Sequence, residues 1–370
     1  MKSEASPKET IRHELPGQQI RDADVTWFDR QNDFEQAVIR QQVKFKREVL
    51  RINEGGRFSK QPNHVYPHIL PDGDVQRVFY PGHADEIVAY LDEANIQQHT
   101  ELLNLKSSQA ACLNFLFPLR RNLDLATSVL THAGIVGQGG RVTGIEFEYT
   151  AQDEAKKEYG CTEWLNEPPG GKRGQNRTSI DAAVFWTKGG KKCATLIEWK
   201  YTERSFGNCS AFAKAGKAEK ANCLGQDYVS RCILIDGQRN RERLYWKRLA
   251  ESGISLSKLG CIAGCPFRGP FYQLMRQFLV AQYMRRVALA ERVEVVGVHF
   301  QGNEALDALP EDLGPMAKAA GDTVVDAWNR ALDGVSPMRD VEVSALLQGY
   351  DATPQSDPKW RDYIRARYGL

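Results

Sequence analysis

No stretch of this 370-residue sequence approaches the roughly 18 consecutive apolar residues a membrane-spanning helix needs. The opening residues, MKSEASPKETIRHEL, lack the apolar segment of a secretion signal, so a cytoplasmic protein is expected. Excess charge of either sign is missing too: 49 Lys+Arg against 47 Asp+Glu leave a net charge of +2. Such a balance neither supports nor excludes a nucleic-acid partner, which needs only a local basic surface. Nucleotide-binding fingerprints are absent. Gly137, Gly139 and Gly140 fit neither a dinucleotide loop nor a phosphate-binding loop ending in Gly-Lys-Ser/Thr. Close cysteine pairs are scarce as well, Cys261 and Cys265 forming the only one among eight cysteines.

What the chain does have is concentrated in residues 179–203. Two apolar, β-prone runs flank Lys188-Gly189-Gly190-Lys191, and a Gly-Gly pair supplies the positive φ values of a tight turn, so an antiparallel hairpin is predicted. Asp181 stands at the start of the first strand, and Glu198 and Lys200 stand near the end of the second. Folding the hairpin brings all three to one end. Alternation places Glu198 and Lys200 on one face and Ile197, Trp199 and Tyr201 on the other, which is built for a core. Carboxylates from neighbouring strands suit a hard divalent cation such as Mg²⁺. Such an ion acidifies a water and offsets charge on a phosphate. A lysine beside it can orient that water or stabilise an anionic transition state. The plain alternative is a surface hairpin with a Glu/Lys pair on its wet face. The combination of Asp, Gly-Gly turn and Glu-x-Lys favours a site.

Asp181, followed after the hairpin by Glu198-Trp199-Lys200, resembles the PD-(D/E)XK nuclease superfamily, with Ile180 in place of the proline. Residues 105–119 (LKSSQAACLNFLFPL) and 195–202 (TLIEWKYT) are similar to a bacterial branch of restriction endonucleases. The resemblance covers residues 100–300 and implies an α/β fold with an αβββαβ core, a mixed central sheet flanked by helices. It implies a Mg²⁺-dependent endonuclease, with Mn²⁺ able to substitute, that hydrolyses DNA in restriction or another defence role. Asp181 and Glu198 would hold the metal, with the Trp199 carbonyl as a further ligand, and Lys200 would position or activate the water. Members commonly add an acidic residue from an upstream strand. Here that is Glu148 or Glu146, which share the face opposite Phe147 in the alternating strand 141–150, and Glu148 is taken as the ligand. The helix after the hairpin often supplies polar residues, and Gln273, Arg276 and Gln277 share one stripe. DNA is the implied partner and a homodimer a compatible assembly. A non-catalytic nucleic-acid-binding module of the same fold would not need Asp181, Glu198 and Lys200 together. A nuclease acting on RNA or branched DNA would.

Three regions are expected: a polar arm and helical region over 1–100, the core over 101–300 with a helical insertion at about 203–262, and a helix-and-loop extension over 301–370. A helix over 27–52 has Asp29 or Asn32 as its cap, with Arg30, Arg40, Lys44, Lys46, Arg47 and Arg51 on a solvated face. Residues 57–82 read as loop, with His64 and His68 as loop histidines. Helices are predicted over 83–93, 108–130 (kinked or divided by Pro118) and 271–292, and strands over 141–150, 178–187, 192–201 and 294–300. Lys172, Arg173 and Arg177 lie in a Pro- and Gly-rich loop that could neutralise phosphates at the rim of the site. The basic, aromatic run 238–248 reads as packing before nucleic-acid contact. Cys112 and Cys193 read as core. For Cys209, Cys223, Cys232, Cys261 and Cys265 the expectation is ordinary thiols, ahead of a zinc or iron–sulfur site, since such sites usually gather closely spaced cysteines.

Overall fold

The computed structural model describes residues 27–73, 75–152, 160–168, 172–173, 177–234, 242–259, 264–310 and 323–370. Helix α1 (Asp33–Glu48) opens on a reciprocal cap. The Asn32 side chain accepts from the Glu35 amide, and the Glu35 carboxylate accepts from the Asn32 amide. Lys46, expected on the solvated face, is instead buried. Its ammonium donates to the carbonyls of Glu54 (2.7 Å) and Ile69 (3.2 Å), and burial lowers its pKa to about 8. Part of the stretch read as loop is a small hairpin of β1 (Gly56–Phe58) and β2 (Gln61–Tyr66), with His64 on β2. His68 lies in the turn that follows β2, as expected, but not on the surface. It is wholly buried, stacked on Trp27 at 5.2 Å, and burial drives its pKa well down.

After α2 (Ala84–Glu93), Ser107 caps α3 (Ser108–Arg121). Pro118 lies inside α3, and the helix breaks only at Asn122, whose extended backbone and side chain cap α4 (Leu123–His132). A proline leaves the carbonyl four residues earlier without its helical donor. Here that carbonyl, of Asn114, accepts from the Trp360 indole at 2.8 Å.

The central sheet contains β3 (Arg141–Tyr149), β4 (Ile180–Lys188), β5 (Lys191–Lys200), β6 (Arg292–His299) and β7 (Arg339–Glu342), in that spatial order. The first two pairings are antiparallel and the last two parallel. Lys188 pairs with Lys191, and Gly189 and Gly190 turn the chain at φ +56° and +77°. The expected helical insertion is irregular over its described part, with only short helices such as α5 (Ser210–Lys214) and α6 (Lys217–Leu224). Helix α7 (Phe271–Arg286) then covers one face of the sheet, alongside α8 (Val324–Arg330). The other face packs on α3, α4, α9 (Val343–Asp351) and α10 (Pro358–Tyr368). Strand β5 is central and buried on both faces from Cys193 onward, which is why it reads as an almost continuous apolar run. Thus αβββαβ is the order of α3, β3, β4, β5, α7 and β6. Short β7, read as part of a helix-and-loop extension, adds an edge strand.

Candidate active site

The register fixes which side chains meet. Phe147 pairs with Ala182, and Ala182 pairs with Ile197. Glu148, Asp181 and Glu198 are the next residues at this end of three neighbouring strands, Glu148 lying between the Phe147–Ala182 and Tyr149–Ile180 pairs. Ile197, Trp199 and Tyr201 enter the core on the α3 side, as alternation requires. Glu198 and Lys200 project on the opposite side but are not on a wet face, because α7 covers them.

Glu198 is gripped on both carboxylate oxygens. Lys200 Nζ lies 2.6 Å from Oε1, Gln273 also donates to Oε1, and Gln277 donates to Oε2. Gln273 is shared, since its amide oxygen accepts from Lys200 at 3.1 Å and from the Gly207 amide at 2.5 Å. One turn of helix separates Gln273 from Gln277, so a single helical stripe reaches both oxygens. Asp181 accepts from the Trp199 amide at 2.7 Å, tying the two hairpin strands together where the side chains meet.

Glu148 resolves the choice between the two β3 glutamates by position. It is buried and lines a small pocket with Asp181, Gln109 and Cys112. Its carboxylate accepts from Gln109 (2.9 Å) and Ser179 (2.7 Å). Glu146 instead points to the rim and pairs with Arg173 at 3.4 Å. Glu148 has φ +46°, a conformation that costs energy for a residue with a Cβ and is found where surrounding structure imposes it, often at functional sites. Gln109 and Ser179 escaped the sequence reading, as did Glu203, which accepts from Ser108 at 2.5 Å and from the Tyr201 amide at 2.9 Å. The signal available was the serine cap of α3, which aims its first turn at the hairpin's end.

Crowding governs the electrostatics. Burial, then the Glu148 charge, pushes Asp181 up to about 7. Burial, then Asp181, pushes Glu198 up to about 8. Burial also raises Glu148. For Lys200, burial opposes the charge, but Glu198, Glu203 and Asp181 outweigh it and hold the ammonium above its ordinary value. The cluster therefore carries more potential negative charge than its lysine balances. All its acidic donors are hard oxygens, the ligand type that a divalent cation of the Mg²⁺ type takes. Glu148, Asp181 and Glu198 do not bring three oxygens within 4.8 Å of one another, so a bound ion would have to draw them together.

The basic residues divide. Lys172 is exposed. Arg173 is not on a free loop: its backbone bridges Ile96, with hydrogen bonds to Asn95 and Gln97, while its side chain pairs with Glu146. Arg177 is half-buried, and burial lowers its pKa. Arg276 is held by the segment that enters β4, within electrostatic reach of Glu198. It donates to Thr178 at 2.8 Å, lies 3.7 Å from Glu167 and stacks over Tyr272, so it braces the segment entering β4.

Residues 39–369 match the sequence model of a family described as restriction endonuclease associating with ARP. The chain belongs to this family. The match runs from α1 through α10 and so takes in both sheet faces and the whole carboxylate row. Membership makes this a restriction-endonuclease-type chain, with a nuclease role and DNA as its implied substrate. No curated protein and no solved structure matches the chain. No helix among the described residues is long and apolar enough to cross a membrane.

Proposed function

We propose that this family member is a Mg²⁺-dependent deoxyribonuclease of the PD-(D/E)XK type, hydrolysing DNA phosphodiester bonds in restriction or another defence role. One observation carries the reading: Glu148, Asp181 and Glu198 lie at one end of three adjacent strands, with Lys200 bound to Glu198 at 2.6 Å. Asp181, Glu198 and Glu148 would hold the cation, with the Trp199 carbonyl as a further ligand and Mn²⁺ able to replace Mg²⁺. When bound, the ion acidifies a water and neutralises charge on the scissile phosphate.

The chain's own groups do the rest. Gln273 and Gln277 fix Glu198 by donating to both of its carboxylate oxygens. Lys200, kept protonated by its acidic neighbours, is a compact positive charge that can orient the attacking water and stabilise charge building on the phosphate. The rim offers Lys172, Arg173 and Arg177 for flanking phosphates. Arg276 acts behind them, as a brace.

The test is cleavage of plasmid, linear and single-stranded DNA with Mg²⁺ or Mn²⁺ by the purified chain. Asp181→Asn and Glu198→Gln should abolish divalent-dependent cleavage without unfolding the protein. Lys200→Ala should slow single-turnover cleavage by roughly 100-fold or more, as when one preorganised electrostatic group is removed. Lys200→Arg should not restore it, because a planar fork replaces a compact ammonium. Cleavage that persists in Asp181→Asn, or a Lys200→Ala rate close to the parent, sinks the assignment.

A further inference from the structure

Four thiols that are far apart in sequence line one cavity. Cys209, Cys223, Cys232 and Cys265 come from four separate segments, all are buried, and all are free of disulfides. They are close enough that Cys209, Cys223 and Cys232 each act electrostatically on Cys265. The remaining wall is mainly apolar and aromatic, including Phe212, Ile233, Trp246 and Phe267. Cys261, four residues before Cys265 in the sequence, lies outside the described residues.

The backbone is arranged around these sulfurs. Amides of Ala211 and Phe212 point at Cys209, that of Ile233 at Cys223 and that of Phe267 at Cys265. The Cys265 amide donates to the Cys223 carbonyl at 2.7 Å, so two of the four segments are stitched directly together. Gly264 makes that approach possible. It has φ +80°, and a Cβ there would fall 2.5 Å from the Cys223 carbonyl oxygen. Arg243 and Arg268 also line the cavity and can offset anionic charge. Among the described residues, the chain between β5 and α7 has only short helices and no strand, so its apolar side chains must hold an irregular path.

We propose that Cys209, Cys223, Cys232 and Cys265 ligate an iron–sulfur cluster of the four-iron type. Four thiolates, amide donors to the sulfurs and a dry wall are what such a cluster takes from a protein. A lone tetrahedral zinc, at about 2.3 Å from each sulfur, would draw the thiols to about 3.8 Å from one another. Among the described residues, no three of these sulfurs lie within 4.8 Å of each other, a wider spread than a single tetrahedral ion would hold. Each thiol gives up its proton on ligation. The role is structural: Tyr272 and Met275 line the cavity on the same helix that presents Gln273 and Gln277 to Glu198. The proposal does not depend on the nuclease reading.

The full chain, purified without oxygen and reconstituted with ferric iron, sulfide and a dithiol reductant that supplies the electrons for its partial reduction, is compared with Cys232→Ser, Cys265→Ser and the control Cys193→Ser. The parent and the control should hold about four irons and four labile sulfides per chain, with a broad visible absorption bleached on reduction. Both site variants should lose the absorption and the iron. About one zinc per chain with no iron, no bound metal, or a cluster that survives in the Cys232→Ser, Cys265→Ser double variant overturns the proposal.

Discussion

Glu198 shows how much of a site can lie outside its reacting groups. Gln277 holds one of its oxygens from the helix that covers the site. Outer contacts of this kind commonly affect metal affinity or activity by about 10- to 100-fold. Gln277→Ala should therefore slow single-turnover cleavage by about that much and raise the Mg²⁺ concentration needed, while DNA binding in Ca²⁺ stays near the parent level. The raised acids make a second prediction. A carboxyl group whose folded pKa exceeds its unfolded value keeps a proton that the unfolded chain has released, so stability falls as pH rises through the interval. Glu198 spans 4.5 to about 8 and Asp181 spans 3.8 to about 7. The melting temperature of the metal-free protein should fall as pH rises from about 4.5 to about 8. Asp181→Asn or Glu198→Gln should flatten that fall. Mg²⁺ should raise the melting temperature at the alkaline end in the parent and not in Glu198→Gln, because a ligand stabilises only the state that binds it. Calorimetry across the range measures both effects.

At the scale of elements, the β4–β5 hairpin sets the site by register, and its turn sets the register. Gly189 and Gly190 both have positive φ, and nothing lies within 4 Å of a Cβ built on either. The cost of a side chain there is conformational alone. Gly190→Ala should destabilise the protein by about 1 kcal/mol, read from urea unfolding, and leave the cleavage rate unchanged. The hairpin was legible in the sequence because a Gly-Gly pair between β-prone runs has few other uses. Strand β3 was legible through its alternation. The small β1–β2 hairpin and β7 were not, being short and without alternation. The division of the 108–130 helix was foreseen, but not at Asn122. Pro118 persists within α3 because Trp360, from the other end of the chain, takes the orphaned Asn114 carbonyl.

At the scale of the molecule, the ends of the described chain close over the α3 side of the sheet. Tyr201 Oη accepts from Gln42 of α1 at 2.8 Å, and Gln42 in turn donates to the Arg367 carbonyl of α10 at 2.7 Å. Trp360 is buried against Tyr350, their ring centroids 4.0 Å apart. Trp360→Ala should cost about 3–5 kcal/mol, as large-to-small core substitutions do. Trp360→Phe keeps much of the volume but leaves the Asn114 carbonyl unpaired, and should cost about 1–3 kcal/mol. Urea midpoints at constant slope separate the two.

The sequence by itself determined the hairpin, the two faces of β5 and the grouping of Asp181, Glu198 and Lys200. These follow from a period of two and one turn, both local. It also placed Gln273 and Gln277 on one stripe of one helix. Only the tertiary structure decided that Glu148 and not Glu146 stands beside Asp181, because the left-handed backbone at Glu148 departs from strand periodicity. It alone turned Arg276 toward Glu167, buried Lys46 and His68, and gathered four cysteines spaced from 9 to 33 residues apart along the chain into one cavity. Those outcomes depend on which segments the loops bring together, and spacing along a chain does not encode distance across a fold.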